Sequence, residues 1–423
     1  MKILVVHCKY RISGGEDTAV KNDIRLLRDM GHEVSVYIKS NEALDKMSLP
    51  ARLGVAIGYV CSPAARKKYR QLIEERKPDV IWVHNTLWMI GTAIYEAALE
   101  CRVPVIQTVH NFRLICPCGI LYREDQKVKL TGERCGDKIC RDCPERGLHN
   151  AIRNRCYRDN RILTAIIAAA LIRQRRLGIY GRISFACLSE LQRDILLDAG
   201  IGIGPGNVYI KHNHTYDEDV CIPYNERDNT FIYAGRLERN KGIEELLEAW
   251  RRLEKEVYIN KNELCPVLTV CGSGGLSENV RKSIGAHDLH YVNYIGRIDS
   301  KKVAGHLSKA KALIYPTGMI EGQPMTIVEA YKSGTPVITT GMGNAGAMVG
   351  DGLTGRHIQA GKMSDSIVDI IQKWDRDYIY NETAIRERAA LYSSKRARST
   401  VDAMLSDVAK RNHAQPVKRC KNM

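Results

Sequence analysis

Two successive series of short apolar runs alternating with stretches of helical period constrain this chain more than any other feature. Lys2 to Cys8 is a largely apolar run of the kind a parallel sheet buries on both faces. Ile12-Ser-Gly-Gly-Glu16 reads as a turn, after which Val20, Ile24 and Leu27 recur at helical spacing until Gly31 ends the helix. Glu33 to Ile38 alternates as a strand. A helix around Arg70–Glu75, a strand at Val80–Val83, a helix near Thr92–Glu100 and a strand at Val103–Val109 continue the series. A second series follows the turn-rich stretch 223–229, with strands expected at Thr230–Ala234, Val267–Cys271, Val292–Ile295, Ala312–Tyr315 and Pro336–Thr340. Helical patterns such as Ile243 to Leu253 separate them. This alternation predicts an α/β protein with two doubly wound, parallel-sheet, Rossmann-like domains. At 423 residues the chain also exceeds what one core organises. The expected division is 1–222 with a cysteine-rich insertion at 111–160, then 223–395, then a helical tail at 396–423.

Composition excludes some alternatives. With 44% apolar and 26% charged residues the chain is of ordinary globular type. No apolar run approaches the length of a membrane span, and no small-residue cleavage site follows Ile3–Val6, so a cytoplasmic location is expected. The 64 basic and 48 acidic residues leave a formal charge of +16, which suits nucleic acid, an anionic membrane surface or a polyanionic substrate. Between Ala151 and Arg182 stand eight arginines and one acid, Asp159, flanking the apolar run 162–172. That segment fits either a helix lying in a membrane interface or a core helix with arginine-solvated ends.

Several suggestive residues fall where strands end, which is where open α/β sheets collect ligands. Gly14 and Gly15 open the first helix, where backbone N–H groups can meet a phosphate or sugar. Taken alone the pair also fits a simple turn. His84-Asn85 and His110-Asn111 each follow an apolar strand, suited to donating to a hydroxyl or to proton transfer, or to a hydrogen bond with nearby backbone. The stretch 231–242 ends a strand at Gly235 and sets Arg236 and Lys241 on the loop into the next helix. Two cations there suit a diphosphate. Gly272 lies in a second glycine-rich strand end, Cys271-Gly-Ser-Gly-Gly275.

The stretch EGQPMTIVE, 321–329, carries more information. Pro324 is expected at the first helical position, where its missing N–H costs nothing. Glu321 then stands in the loop and Glu329 inside the helix. The N–H groups of Gly322, Gln323, Met325 and Thr326 lie between them without intrahelical acceptors. Two carboxylates flanking free donors make a clamp for a polyol and a ribose.

The ordered set Gly14-Gly15, His110, Ala-Gly-Arg-Leu with Lys241, Gly296-Arg297, and Glu321-x7-Glu329 with Ser-Gly-Thr-Pro at 333–336 resembles the retaining GT-B glycosyltransferases of family 4 over nearly the whole chain. The resemblance implies two Rossmann-like domains facing across a cleft and transfer of a sugar from a nucleotide-diphosphate sugar to a hydroxyl acceptor, with retention. It implies that Arg236 and Lys241 neutralise the diphosphate in place of a metal, so that transfer needs no cofactor. Glu321 would bind the donor sugar, Glu329 the ribose, and Gly14, Gly15 and His110 would close on sugar and acceptor. The basic segment 151–182 points to a saccharide or lipid-linked acceptor at the inner membrane face, in surface polysaccharide assembly. Two departures stand out: Gly343-Asn-Ala-Gly-Ala-Met348, where members often carry an acid, and Lys211-His212-Asn213-His214, where they often carry Lys-Pro-Asn. Both are expected to lie away from the clamp.

Six of the fourteen cysteines fall between Cys116 and Cys156. Cys140-x2-Cys143 has the spacing of half a tetrahedral zinc site, and Cys116 and Cys156 are candidates to complete it, with Cys118, Cys135 and His149 also near. The other reading is reduced thiols in an insertion packed over the acceptor site. Two competing functions remain at this level. A zinc-stapled nucleic-acid-binding protein would use the charge and cysteines but leave the clamp without purpose; no nucleic acid partner is expected. A sugar-nucleotide epimerase of the same fold would form product without an acceptor.

Overall fold

The computed structural model describes residues 1–11, 14–122, 140–216, 221–260, 265–287, 289–359 and 361–414. These divide into two units, the first comprising the described residues of 1–121, 140–212 and 394–414, and the second those of 213–393.

The first unit is a six-stranded parallel sheet. Its strands are β1 (Lys2–Lys9), β2 (Glu33–Ser40), β3 (Val80–Asn85), β4 (Val105–Val109), β5 (Ser184–Cys187) and β6 (Val208–Ile210), in the order β2-β1-β3-β4-β5-β6. Every residue of β3, β4 and β5 is buried, as expected for strands covered on both faces. The helix Arg161–Arg176 resolves the reading of the basic segment. Thr164, Ile167, Ala168, Ala170 and Leu171 are buried in a core with Tyr59, Leu87, Trp88 and Tyr157, while Ile162 is exposed. Arg173 forks onto the carboxylate of Glu96. The run 162–172 is thus chiefly a core helix. Its neighbour, the helix Leu49–Val60, packs against it and turns Leu49, Leu53 and Ile57 outward, 79%, 59% and 61% exposed.

The second unit contains β7 (Thr230–Ala234), β8 (Val267–Cys271), β9 (Val292–Gly296), β10 (Ala312–Tyr315), β11 (Val337–Thr340) and β12 (Gly355–Ile358), in the order β12-β11-β10-β7-β8-β9, all parallel. Strand periodicity divides its core in two. Phe231, Tyr233, Leu268, Val270, Ala312 and Ile314 join one cluster around Trp250, and Ile232, Ala234, Leu313 and Tyr315 join another around Tyr331.

Sequence periodicity misses β5, β6 and β12, which have only four, three and four residues. The unit boundary lies at 212/213 instead of 222, and the C-terminal helix Ser394–Ala414 belongs to the first unit instead of forming a separate tail. There Asp407 accepts from Tyr209, and Arg398 donates to the carbonyl of Asp29 at 2.8 Å. Among the described residues no helix is long and apolar enough to cross a membrane.

Candidate active site

In the second sheet the strand order reverses between β7 and β10, and the crevice beyond such a switch point is where open α/β sheets take ligands. Arg236 and Lys241 follow β7, and Glu321 follows β10. Their loops meet closely. Gly242 has φ +70°, and a Cβ there would stand 2.1 Å from the carbonyl oxygen of Pro316, so only glycine fits. Lys241, nearly fully buried, places its Nζ on the Glu321 carboxylate and donates to the Tyr315 hydroxyl at 3.0 Å. Glu321 also accepts from Thr317 Oγ1 at 3.0 Å and from Tyr315 at 3.2 Å. Burial opposes its ionisation, but the Lys241 ammonium and these hydroxyl donors outweigh it and hold the carboxyl below its ordinary range. The result is a fixed carboxylate and a fixed ammonium side by side.

The loop 321–324 is held from two directions. Asn213 donates through its backbone N–H to Gln323 Oε1 at 2.6 Å and through Nδ2 to the Gln323 carbonyl at 3.1 Å. Asn344 donates through Nδ2 to the Glu321 carbonyl at 3.1 Å and to that of Gly322. The two segments that depart from the family pattern therefore do touch the clamp, each supplying an asparagine that pins its backbone. The helix is Met325–Lys332, so Pro324 is its N-cap, one position earlier than expected, and Met325 and Thr326 open the helix. Glu329 lies inside that helix, half-buried.

Three further expected residues fare differently. Arg236 pairs with Glu238 at 3.0 Å on the same loop. Arg297 is exposed beyond β9 and has no hydrogen bond or ion pair to the Lys241–Glu321 cluster. Gly272 answers to backbone crowding: a Cβ there, at φ +148°, would stand 1.8 Å from the carbonyl oxygen of Gly235, whereas the nearest atom to one on Gly235 would be the Tyr233 hydroxyl, at 3.4 Å.

In the first sheet the order reverses between β1 and β3. Gly14 caps the helix Gly15–Asp29, its N–H donating to Asp17 Oδ2 at 3.2 Å, and no atom lies within 4 Å of where its Cβ would be. His84 is the penultimate residue of β3, and His110 follows β4. His84 Nδ1 and His110 Nε2 share a hydrogen bond of 2.9 Å, with the rings stacked at 5.2 Å. Beyond them, Asp23 lies 4.0 Å from His84 Nε2 and 2.5 Å from Lys211 Nζ, with all three side chains buried. His7 shares a hydrogen bond of 2.9 Å with Asp17. Burial, then the positive field of His7 and Lys211, pushes His110 down to about 3, so its imidazole is neutral at physiological pH. Sequence reading took the two histidines singly and missed Asp23, Lys211, His7 and Asp17. The signals present were a histidine inside the apolar run of β1 and a lysine following β6.

The thiol of Cys143 senses those of Cys116, Cys156 and Cys140. Among the described residues no group of three or more His, Cys, Asp or Glu side chains is arranged to hold a metal. Cys116 and Cys118 have their sulfurs 3.2 Å apart, and the hydrogen bond from Cys118 brings the Cys116 thiol down to about 6. Cys140 and Cys143 are buried, Cys156 half-buried, and Cys135 lies outside the described residues.

The whole chain has the fold of a known glycosyltransferase. It superposes on the crystal structure of Anabaena HepE in complex with UDP-glucose with a TM-score of 0.61, at 14% identity, over 98% of this chain and 100% of that one. Residues 14–179 match the Glycosyl transferase 4-like domain, and 221–391 match Glycosyl transferases group 1. The chain has the GT-B fold. The Lys241–Glu321 cluster falls in the group 1 domain and the His84–His110 pair in the 4-like domain. This GT-B chain is 29% identical over 135 residues to an uncharacterized glycosyltransferase of Methanocaldococcus jannaschii, covering 32% of this chain and 35% of that protein. It is 26% identical over 170 residues to a lipopolysaccharide 1,2-N-acetylglucosaminetransferase of Salmonella typhimurium, covering 40% of this chain and 45% of that one. The match thus spans between about a quarter and a half of the length of the curated relatives.

Proposed function

We propose that this chain transfers a sugar from a nucleotide-diphosphate sugar to a hydroxyl acceptor, with retention at the anomeric carbon. The observation that carries the reading is the Lys241–Glu321 cluster at the switch point of the group 1 domain. Lys241 and Arg236 bind the diphosphate and stabilise the charge that grows on it as the glycosidic bond breaks. Glu321 accepts from donor-sugar hydroxyls and Glu329 from the ribose. The N–H groups at the start of the helix Met325–Lys332 face phosphate or hydroxyl oxygens. Among the described residues no side chain is assigned as a covalent nucleophile. Transfer therefore proceeds by front-face displacement, with the leaving phosphate taking the acceptor proton. His110, neutral and held by His84, hydrogen-bonds to the sugar or acceptor, and the open backbone at Gly14 takes part from the same side.

The acceptor is a saccharide carried on lipid. The outward stripe Leu49, Leu53 and Ile57, with exposed Arg52, Lys67, Lys68 and Arg161 on the same and adjoining helices, suits docking to an anionic membrane surface. A thermal-shift screen of UDP, GDP, dTDP and ADP sugars, followed by a nucleotide-release assay, tests the reading. One nucleotide family is expected to stabilise the protein, and its nucleoside diphosphate to be released as the sugar passes to the acceptor. Stabilisation by none of them would remove the donor assignment, and product formed without acceptor would favour an epimerase.

A further inference from the structure

The first unit contains a cavity of about 60 Å³ beyond the ends of β3 and β4, lined by Tyr59, Asn85, His110, Arg113, Gln174 and Tyr180 among others. That exceeds the space a single water fills and suits one small polyatomic group. Its lining is rich in donors. Tyr180 is 1% exposed, and its hydroxyl has no hydrogen-bond partner. Arg113 is held by neutral groups: its N–H donates to Asn111 Oδ1 at 3.0 Å and its Nη1 to the Pro117 carbonyl at 3.1 Å. Among the described residues no carboxylate lies within ion-pair distance of it. Glu16, the acid that senses Arg113, is pushed up to about 8 by burial and so stays largely protonated at neutral pH. A second arginine, Arg175, donates Nη2 to the carbonyl of Leu114, a lining residue, at 3.0 Å, while its buried Nε has no partner. Among the described residues Arg175 likewise has no carboxylate within ion-pair reach.

A lining arginine without counter-charge among the described residues, a second arginine behind the Leu114 carbonyl, and an orphaned tyrosine hydroxyl leave the cavity incomplete without an acceptor-only group. We propose that Arg113, Arg175 and Tyr180 form an oxyanion site that takes a phosphate-type group, separate from the donor diphosphate site of the second unit. This rests on the glycosyltransferase reading only in making the anion part of the acceptor. A phosphate carried on lipid and a free phosphate share the chemistry, and the experiment separates them.

The test uses the full-length protein saturated with its preferred nucleoside diphosphate, so that the donor site is filled, and titrates inorganic phosphate against chloride at matched ionic strength. Saturable phosphate binding is expected. Tyr180→Phe, which removes one hydroxyl, is expected to weaken it roughly three- to tenfold. Arg175→Gln is expected to weaken it by at least about thirtyfold, with nucleotide affinity unchanged in both. Dodecyl phosphate binding more tightly than inorganic phosphate marks the acceptor's headgroup as the occupant, whereas equal or weaker binding marks free phosphate. Phosphate that no longer binds once nucleotide is present, or binding untouched by Tyr180→Phe and Arg175→Gln alike, overturns the site. Failure of the glycosyltransferase reading would appear separately, as absent nucleotide release, and leaves this titration unaffected.

Discussion

Lys241 and Glu321 stand eighty residues apart in sequence, yet the ammonium of one rests on the carboxylate of the other, both nearly buried and both bridged by the Tyr315 hydroxyl. Each has its charge fixed by the other, and each has a different partner in the proposed reaction. Glu321→Gln keeps the shape while removing the acceptor of sugar hydroxyls. It is expected to lower transfer at least about a hundredfold with nucleotide affinity within about threefold of wild type. Lys241→Met is expected to weaken nucleotide binding itself. Wild-type turnover by Glu321→Gln, measured as nucleotide release, would remove Glu321 from the mechanism.

His110 is expected to stay neutral across the working range. Its folded value, about 3, lies below the ordinary 6.5. Its stabilising contribution is therefore present above pH 6.5 and is lost as pH falls toward 3. His84, also driven down by burial and by His110, acts in the same direction. Histidine-labelled NMR is the check: a His110 resonance that titrates between pH 6 and 7 contradicts the buried pair.

Glu16 produces the opposite dependence. Its folded value, about 8, lies above the ordinary 4.5, so its contribution is full below pH 4.5 and is lost as pH rises through 8. Glu16→Gln cannot ionise, and its melting temperature should fall less than that of wild type between pH 5 and 8.5. Equal slopes in denaturation scans would rule out a protonated Glu16.

The Asp23–Lys211 pair is a buried ion pair, 1% exposed on both sides. Asp23→Asn leaves the ammonium uncompensated, and the expected loss is about 3–5 kcal/mol in chemical denaturation. Replacing both partners with apolar residues should recover much of that loss, because the desolvation cost of two charges disappears with them.

The proposed membrane docking would rest on the outward stripe. Leu53→Glu with Ile57→Glu is expected to release the protein from anionic liposomes at low salt while leaving its melting temperature within a few degrees, since both side chains are already exposed. Co-sedimentation with vesicles reads this directly. Equal binding by wild type and variant would place the membrane contact elsewhere on the surface.

Much of the fold could be read from local pattern. Five of the strands in the second unit were recognisable because alternating apolar residues must face two covered sheet surfaces, as Phe231 and Ile232 do in separate clusters. Short strands such as β6, with three residues, carry too little periodicity to be seen. The stretch EGQPMTIVE was legible for a similar local reason: a proline marks a helix start, and a helix start leaves donors free.

What the sequence by itself determined was which strand ends carry charge: Arg236 and Lys241 after one strand, Glu321 after another, histidines after two more. Which of these meet was decided only by strand order. The reversal between β7 and β10 sets Lys241 beside Glu321, and adjacency of β3 and β4 sets His84 beside His110. Asp23 and Lys211 pair from positions that share no local pattern, because only the packing of distant segments brings the two charges together. Spacing sets what a short segment can reach, and packing decides what it meets.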